Sequence, residues 1–143
     1  MKKYYLGLIF LLILDRFLKI YFLKTLPVSG SVFALYLNKN IAFSLPVPAI
    51  ILYPILAIVL FVLLWIWLKS WVGDKKNIWP YSLIILGALS NIWDRLRYGG
   101  VVDYLNVPFF TVLNISDVYI FLGVLFLIID QIKKQKYEQQ KHR

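Results

Sequence analysis

Four long apolar segments dominate the pattern of the chain, and each is long enough to cross a lipid bilayer. We predict helices over about 4–23, 49–68, 78–97 and 112–129. About 20 apolar residues in a helix span a hydrocarbon core of about 30 Å. The second segment holds no charged residue, whereas the other three carry polar residues within the apolar text. The pattern predicts an all-α polytopic membrane protein with four transmembrane helices.

The text between the first two helices has a different pattern. Residues 28–46 are rich in β-forming side chains and are bounded by Pro27, Pro46 and Pro48. Such a stretch predicts a short strand or hairpin, and we expect a small β-sheet on the outer face of the membrane. After 129 the chain becomes a charged tail, 130–143, which we expect to fray as a helix. The whole of 1–143 is expected to form one membrane-embedded domain.

Composition narrows the classes of function. The chain is 61% hydrophobic and has a formal net charge of +9. A soluble nucleic-acid-binding domain would not need so much apolar sequence, whereas a membrane protein with basic cytoplasmic edges explains both values. The chain has no cysteine, and its only histidine, His142, lies in the tail. Thiol catalysis and Cys-ligated metal are excluded, and we expect no metal, no cofactor and no nucleic-acid partner.

The basic residues predict an orientation. The amino end, the connection between the second and third helices and the tail together hold ten Lys and Arg, whereas the opposite connections hold Lys24, Lys39 and the boundary residue Arg97. By the positive-inside rule, both termini should be cytoplasmic, and 24–48 and 98–111 should face outward. The start MKKYYLGLIFLLIL is similar to a signal peptide, but DRFLKIYFLK follows it without a small-residue cleavage site. We therefore expect a retained first helix.

Polar residues on three of the helices fall at one depth. Measured from the predicted inner end of each helix, Asp15 lies about 17 Å up, Asn91 about 20 Å and Asp117 about 18 Å. Lys19 and Arg95 lie about 23 Å and 26 Å up. These residues form a polar layer in the outer half of the bilayer. Ionisable groups within a membrane are costly, so they face an interior or a wet cavity and mark function.

Simpler interpretations stand beside this one. Asp15 and Lys19 are spaced i,i+4 and form either a structural ion pair or a charge that orients a neighbour in the cavity. Lys19 also has the length to extend to the outer interface. Asn91, Asp94 and Arg95 share a helix face, which is also the pattern of a helix end that emerges among lipid headgroups.

Two further aspartates suggest a reaction. Asn114 and Asp117 have the spacing of a helix capping box, and Asp103 has the position of an ordinary loop carboxylate. However, a pair of carboxylates within a few ångströms cannot both ionise easily, so together they offer an acid and a base at neutral pH. Such a pair activates water for attack on a peptide carbonyl. The spacing alone does not establish that Asp103 and Asp117 meet.

Four motifs resemble a known family. DRFLK (15–19), NKNIAFS (38–44), GALSNIWDRLRYGGVVDYLNV (87–107) and LNISDVYI (113–120) resemble, in order, the blocks of lipoprotein signal peptidase, or signal peptidase II. The resemblance implies an aspartic endopeptidase of the bacterial cytoplasmic membrane without a metal or cofactor. It implies a diacylglyceryl-modified prolipoprotein as substrate, cut before its lipidated cysteine, and membrane lipid as the surroundings. We expect a monomer whose active site lies toward the outer face.

The resemblance also implies roles for residues. Asp103 and Asp117 match the catalytic dyad. The other matches are polar residues that line or adjoin the substrate site: Asn38, Asn91, Arg95, Asn114, Asp15 and Lys19.

The chain departs from the family pattern at several positions. Asn40 and Ile41 stand where glycine and a small residue are usual, and Ser90, Leu113 and Ser116 replace glycine, phenylalanine and alanine. These changes bear on substrate fit and rate rather than on the dyad. Two alternatives remain open, namely a non-enzymatic ion or proton carrier subunit and an inactive homologue of the same fold.

Overall fold

The computed structural model describes residues 2–25, 32–40, 47–73, 78–108 and 111–141. This part of the chain forms four helices and a three-stranded sheet. In chain order the elements are α1 (Lys2–Lys24), β1 (Phe33–Asn38), α2 (Ala49–Val72), α3 (Ile78–Tyr98), β2 (Val101–Val107), β3 (Thr111–Leu113) and α4 (Ile115–Lys141).

The helices follow the hydrophobic pattern, and the first three begin and end within a few residues of the predicted bounds. Two of them, α2 and α4, are long and apolar enough to cross a membrane. Much of the apolar surface of α2 is exposed, as at Ile50 and Phe61, and Leu52 is its buried residue. The helices α1 and α3 contain charged residues that lower their mean hydropathy, so it stays a prediction that these two helices cross the bilayer.

The helix α4 differs from the predicted membrane span 112–129 at both ends. The helix begins at Ile115 rather than near 112, because Thr111–Leu113 pairs with β2 as a strand. It does not end near 129 but continues to Lys141. The tail is rich in Lys, Gln and Glu. Because these residues are good helix formers, the apolar helix continues into the charged tail.

The segment 98–111, which we predicted to be an outward-facing connection, contains β2 and the first residue of β3. The sheet order is β1-β2-β3, with both pairs antiparallel. Gly99, with φ of 74°, lets the chain leave α3, and a side chain on Gly100 would approach Asn38 O at 3.0 Å. The glycine pair thus lets β2 start immediately after α3 and run close beside β1. The predicted β segment 28–46 contains β1, while 28–31 and 41–46 lie outside the described residues.

Glycines bring α3 and α4 close together. A Cβ on Gly123 would lie 2.7 Å from Pro80 O, and one on Gly87 would collide with Ser116 O. Small residues allow helix backbones to approach in this way. As a result the middle of α3, from Gly87 to Asn91, faces the first turns of α4, where several of the predicted polar residues lie.

Aromatic rings attach the sheet to α1. Phe22 stacks on Tyr104 of β2 with ring centroids 4.5 Å apart and on Phe33 of β1 at 5.2 Å. Phe22 and Tyr104 are both buried. This stack fixes β2 between the C-terminal end of α1 and the start of α4.

Candidate active site

A cavity of about 460 Å³ lies between the sheet, the end of α3 and the start of α4. Its remaining wall consists of mostly apolar residues of β2, β3 and α4. Five of the predicted site residues line it: Asn38, Asn91, Arg95, Asp103 and Asp117.

Asp103 lies in the middle of β2 and points its carboxylate toward two amides. Asn38 on β1 donates from Nδ2 to Oδ2 at 3.1 Å, and Asn114 donates from Nδ2 to Oδ1 at 2.6 Å. The residue is 2% exposed. Burial raises the pKa of Asp103 to about 6, and the nearby negative charge of Asp117 acts in the same direction, against the two amide donors.

Asp117 lies in the first turn of α4, where it completes a capping box. The backbone N–H of Asp117 donates to Asn114 Oδ1 at 3.1 Å, and the backbone N–H of Asn114 donates to Asp117 Oδ2 at 3.1 Å. The capping box proposed from the sequence is therefore present. The other oxygen of Asp117 accepts a hydrogen bond from Asn91 Nδ2 at 2.8 Å. The cap and the cavity wall thus share one carboxylate.

Asn114 connects the two aspartates. Its side chain donates to Asp103, and its backbone N–H donates to Asp117. It is fully buried and does not itself line the cavity. One residue, fixed by its role at the start of α4, therefore sets the position of both carboxylates.

Arg95 brings a positive charge to the same cavity. Its Nη2 donates to the carbonyl oxygen of Asn40 at 3.1 Å, and the backbone N–H of Asn40 donates to Asn38 Oδ1 at 3.0 Å. Asn40 thus joins the end of β1 to α3 through backbone atoms. The neighbouring departure from the family pattern, Ile41, lies outside the described residues.

Asp15 and Lys19 lie behind the cavity wall rather than on it. Both are buried, and they belong to a cluster of two acids and two cations that joins α1 to α3. Arg16 Nη1 lies 2.8 Å from Asp94 Oδ1, and Lys19 Nζ lies 2.7 Å from Asp94 Oδ2. Arg16 also pairs with Asp15 at 2.7 Å. We call Asp15, Arg16, Lys19 and Asp94 the ion cluster.

Sequence reasoning missed Arg16 and left open whether Asp94 emerges among lipid headgroups. Asp94 does not emerge among headgroups, because it is fully buried and also accepts a hydrogen bond from the backbone N–H of Val102 at 3.3 Å. The sequence offered one signal for this contact, namely charge balance. Asp15, Arg16 and Lys19 are one acid and two cations close together in α1, so one of the two cations needs an acid from another helix. Asp94 supplies that acid from α3.

The serines at the departures from the family pattern take part in the same cluster. Ser90 on α3 and Ser116 on α4 both donate from Oγ to Asp15, and Lys19 Nζ donates to Ser90 Oγ at 3.1 Å. Their hydroxyls therefore satisfy buried charges rather than contact the cavity. Among the residues that the structure describes, no group of three or more His, Cys, Asp or Glu is placed to hold a metal ion.

Three curated relatives that share one name with each other are similar to this chain. A protein named "Lipoprotein signal peptidase" from Syntrophus aciditrophicus is 41% identical over 73 residues, covering 48% of this chain and 45% of the relative. One from Buchnera aphidicola is 37% identical over 75 residues, 50% of this chain and 48% of the relative. The chain thus spans about half the length of these relatives. One from Pelagibacter ubique is 29% identical over 153 residues, with 92% and 90% covered.

Solved structures show the same fold. A bacterial membrane enzyme superposes with a TM-score of 0.79 at 22% identity, covering 94% of this chain and 90% of that one. A second, also described as a bacterial membrane enzyme, has a TM-score of 0.75 at 24% identity. The sequence pattern of the family described as Signal peptidase (SPase) II matches residues 8–133. With nearly its whole length matched by that pattern, this chain belongs to the signal peptidase II family.

Proposed function

We propose that this protein is an aspartic endopeptidase that removes the signal peptide from diacylglyceryl-modified prolipoproteins. Cleavage takes place before the lipidated cysteine, by water that Asp103 and Asp117 activate. Membership of the signal peptidase II family and the names of the curated relatives support the substrate class. The membrane-capable helices α2 and α4 support a substrate that is itself held in lipid.

The observation that carries the proposal is that two carboxylates line one cavity and share a hydrogen-bonding partner. Asp103 and Asp117 come from different elements, line the same wall and are both bonded to Asn114. The pKa of Asp103, raised to about 6, keeps a proton within reach near neutral pH. A pair of this kind is suited to general acid–base catalysis of hydrolysis.

The reaction needs one proton on the pair. The ionised carboxylate takes a proton from water as the water oxygen bonds to the peptide carbonyl carbon, and the protonated carboxyl donates to the carbonyl oxygen. The tetrahedral intermediate then breaks its C–N bond. The leaving amine takes a proton from one carboxyl of the pair, and one hydroxyl of the intermediate returns its proton to the other carboxylate, which forms the carboxyl product and restores one proton on the pair. The lipid anchor and the signal helix hold the peptide in place, which leaves the dyad only the bond to break.

We further propose that all four helices cross the membrane, with both termini cytoplasmic and the sheet at the outer face. The charges of α1 and α3 do not oppose this arrangement, because they pair with one another inside the bundle. Phe121 and Val124 of α4 line the cavity and are also exposed. They offer an apolar path along which a signal helix passes from lipid to the dyad.

The test is cleavage of a synthetic diacylglyceryl-modified prolipopeptide by the full chain in detergent or nanodiscs. We expect cleavage before the lipidated cysteine, and its loss in both Asp103→Asn and Asp117→Asn. Glu138→Gln, at an exposed carboxylate of the α4 tail, is the matched control and should cleave normally. Full activity in either aspartate variant would rule out the dyad. An inactive wild type would favour a non-catalytic homologue, and proton flux into liposomes would then favour a carrier.

A further inference from the structure

Asn91 lies between the ion cluster and Asp117. Its Oδ1 accepts a hydrogen bond from Lys19 Nζ at 2.9 Å, and its Nδ2 donates to Asp117 Oδ1 at 2.8 Å. Lys19 and Asp117 lie on different helices, and this amide joins them. It is thus a direct connection between the buried charges and the carboxylate that we place in the dyad.

The chemistry of the two neighbours fixes the orientation of this amide. An ammonium group has donors only, and an ionised carboxylate has acceptors only. The amide satisfies both when its oxygen faces Lys19 and its nitrogen faces Asp117, and the flipped amide would satisfy neither. Without the ammonium, only Asp117 would orient the amide, and rotation about the last side-chain bond would become easier.

Lys19 is itself held firmly. It is 1% exposed, so it does not extend to the lipid interface. Its Nζ contacts Asp94 Oδ2 at 2.7 Å, Ser90 Oγ at 3.1 Å and Asp15 Oδ1 at 3.5 Å. A charge with this many partners is a rigid reference point for the amide that it orients.

Arg16 offers a natural comparison within the same cluster. It carries the same charge and pairs with the same two acids, Asp15 and Asp94. However, its side chain bonds to Ser90 and not to Asn91. The two cations therefore contribute alike to the charge balance of the cluster. Of the two, only Lys19 bonds to Asn91, a residue that lines the cavity.

We propose that Lys19 is a positioning residue for the reaction, because it locks the Asn91 amide in the orientation that holds the Asp117 carboxylate toward the cavity. Lys19 does not line the cavity and forms no ion pair with Asp103 or Asp117 in the described part of the chain. It therefore acts through Asn91. The inference rests on the proposed function for its kinetic readout, and it has a second readout that does not need activity.

The kinetic test compares two double variants that keep the cluster neutral. Asp15→Asn/Lys19→Met removes the cation that contacts Asn91, whereas Asp15→Asn/Arg16→Met removes the one that does not. Misplacement of a reacting group by about 1 Å costs about 100-fold in rate. We therefore expect kcat to fall at least about 30-fold in the Lys19 double variant, with KM within about twofold, and to fall less than about threefold in the Arg16 double variant. Equal losses of kcat in the two would overturn the proposal.

The second readout is hydrogen exchange, measured by NMR on the full chain. In the wild type, the Nζ protons of Lys19 and the Nδ2 protons of Asn91 should exchange slowly with water. The Nδ2 protons should exchange about tenfold or more faster in the Lys19 double variant and unchanged in the Arg16 double variant. Fast exchange of Lys19 Nζ in the wild type would overturn the proposal even if neither variant folds. A wild type that cleaves nothing would contradict the proposed function and leave this measurement valid.

Discussion

In the part of the chain that the structure describes, four acidic residues are buried or face one cavity, and they form two pairs with different surroundings. Asp15 and Asp94, in the ion cluster, each contact both Arg16 and Lys19 within 3.5 Å. Asp103 and Asp117 are bonded to amides and backbone N–H groups, with no cation within 4.0 Å in the described residues.

This difference separates the carboxylates that join helices from the two that we propose to take part in the reaction. Asp15 and Asp94 each lie beside two cations, and these ion pairs join α1 to α3. A carboxylate held by neutral donors keeps its position while its proton comes and goes. The chain therefore uses cations to join helices and amides to hold the site, and Asn91 and Val102 connect the two regions.

The largest effect should come from breaking the ion cluster. Asp94→Asn leaves the buried Lys19 and the partly exposed Arg16 with one acid, and removing one partner of a buried ion pair such as Lys19–Asp94 costs about 3–5 kcal/mol. We expect a loss of that size in the free energy of unfolding, measured by denaturant titration in micelles. Glu138→Gln removes an exposed carboxylate and is the control, expected within about 0.5 kcal/mol of the wild type. A loss below about 1 kcal/mol in Asp94→Asn would contradict the structural role of the cluster.

The free energy of unfolding should depend on pH because of Asp103. Its pKa is about 6 in the folded chain against an ordinary 3.8, so the folded state binds the proton more tightly than the unfolded state. This stabilisation is complete below about pH 4 and is lost as pH rises through about 6, with an amplitude of about 3 kcal/mol.

The measurement is the free energy of unfolding from pH 4 to pH 7 in the wild type and in Asp103→Asn, which has no titrating group at this position. The difference between the two curves isolates Asp103. We expect the wild type to lose stability relative to the variant as pH rises. A flat difference, or one of the opposite sign, would contradict the raised pKa.

The smallest effect should come from Asn114, which both caps α4 and holds the two site carboxylates. Loss of a side-chain cap costs about 0.5–2 kcal/mol, so Asn114→Ala should lower the free energy of unfolding by about that amount. Cleavage should fall by much more than this loss of stability explains, because both carboxylates lose a fixed neighbour. Asn106→Ala, on the same sheet but outside the cavity lining, is the matched control. Normal cleavage in Asn114→Ala would show that the amide does not position the pair.

The sequence predicted the helices well, because the apolar segments have a single physical interpretation at this length. It also placed Asp15, Asn91 and Asp117 at one depth, which the helix rise determines. It did not predict β2 and β3. The strand β2 pairs with β1, which is more than 60 residues away in the sequence, and β3 in turn pairs with β2, so the sheet depends on a contact that no local pattern reveals.

The partners of the buried charged residues could not be predicted from the sequence either. Depth counted along a helix gives the level of a side chain but not the direction in which it points, so Asp94 was indistinguishable from a headgroup-facing acid. In the structure its neighbours are Arg16 and Lys19 on another helix. Ser90 and Ser116 were recognised as departures from a pattern, and the pattern held no information about the hydroxyl partner, Asp15.

The most direct test of the proposed dyad is the titration of the Asp103 carboxyl carbon by NMR, in the wild type and in Asp117→Asn. We expect a midpoint near 6 in the wild type and a lower one in Asp117→Asn, because the neighbouring negative charge is then absent. A lower midpoint in the variant would show that the two carboxylates interact as a pair across the cavity. A wild-type midpoint near the ordinary 3.8, unchanged in Asp117→Asn, would contradict the pairing on which the proposed function depends.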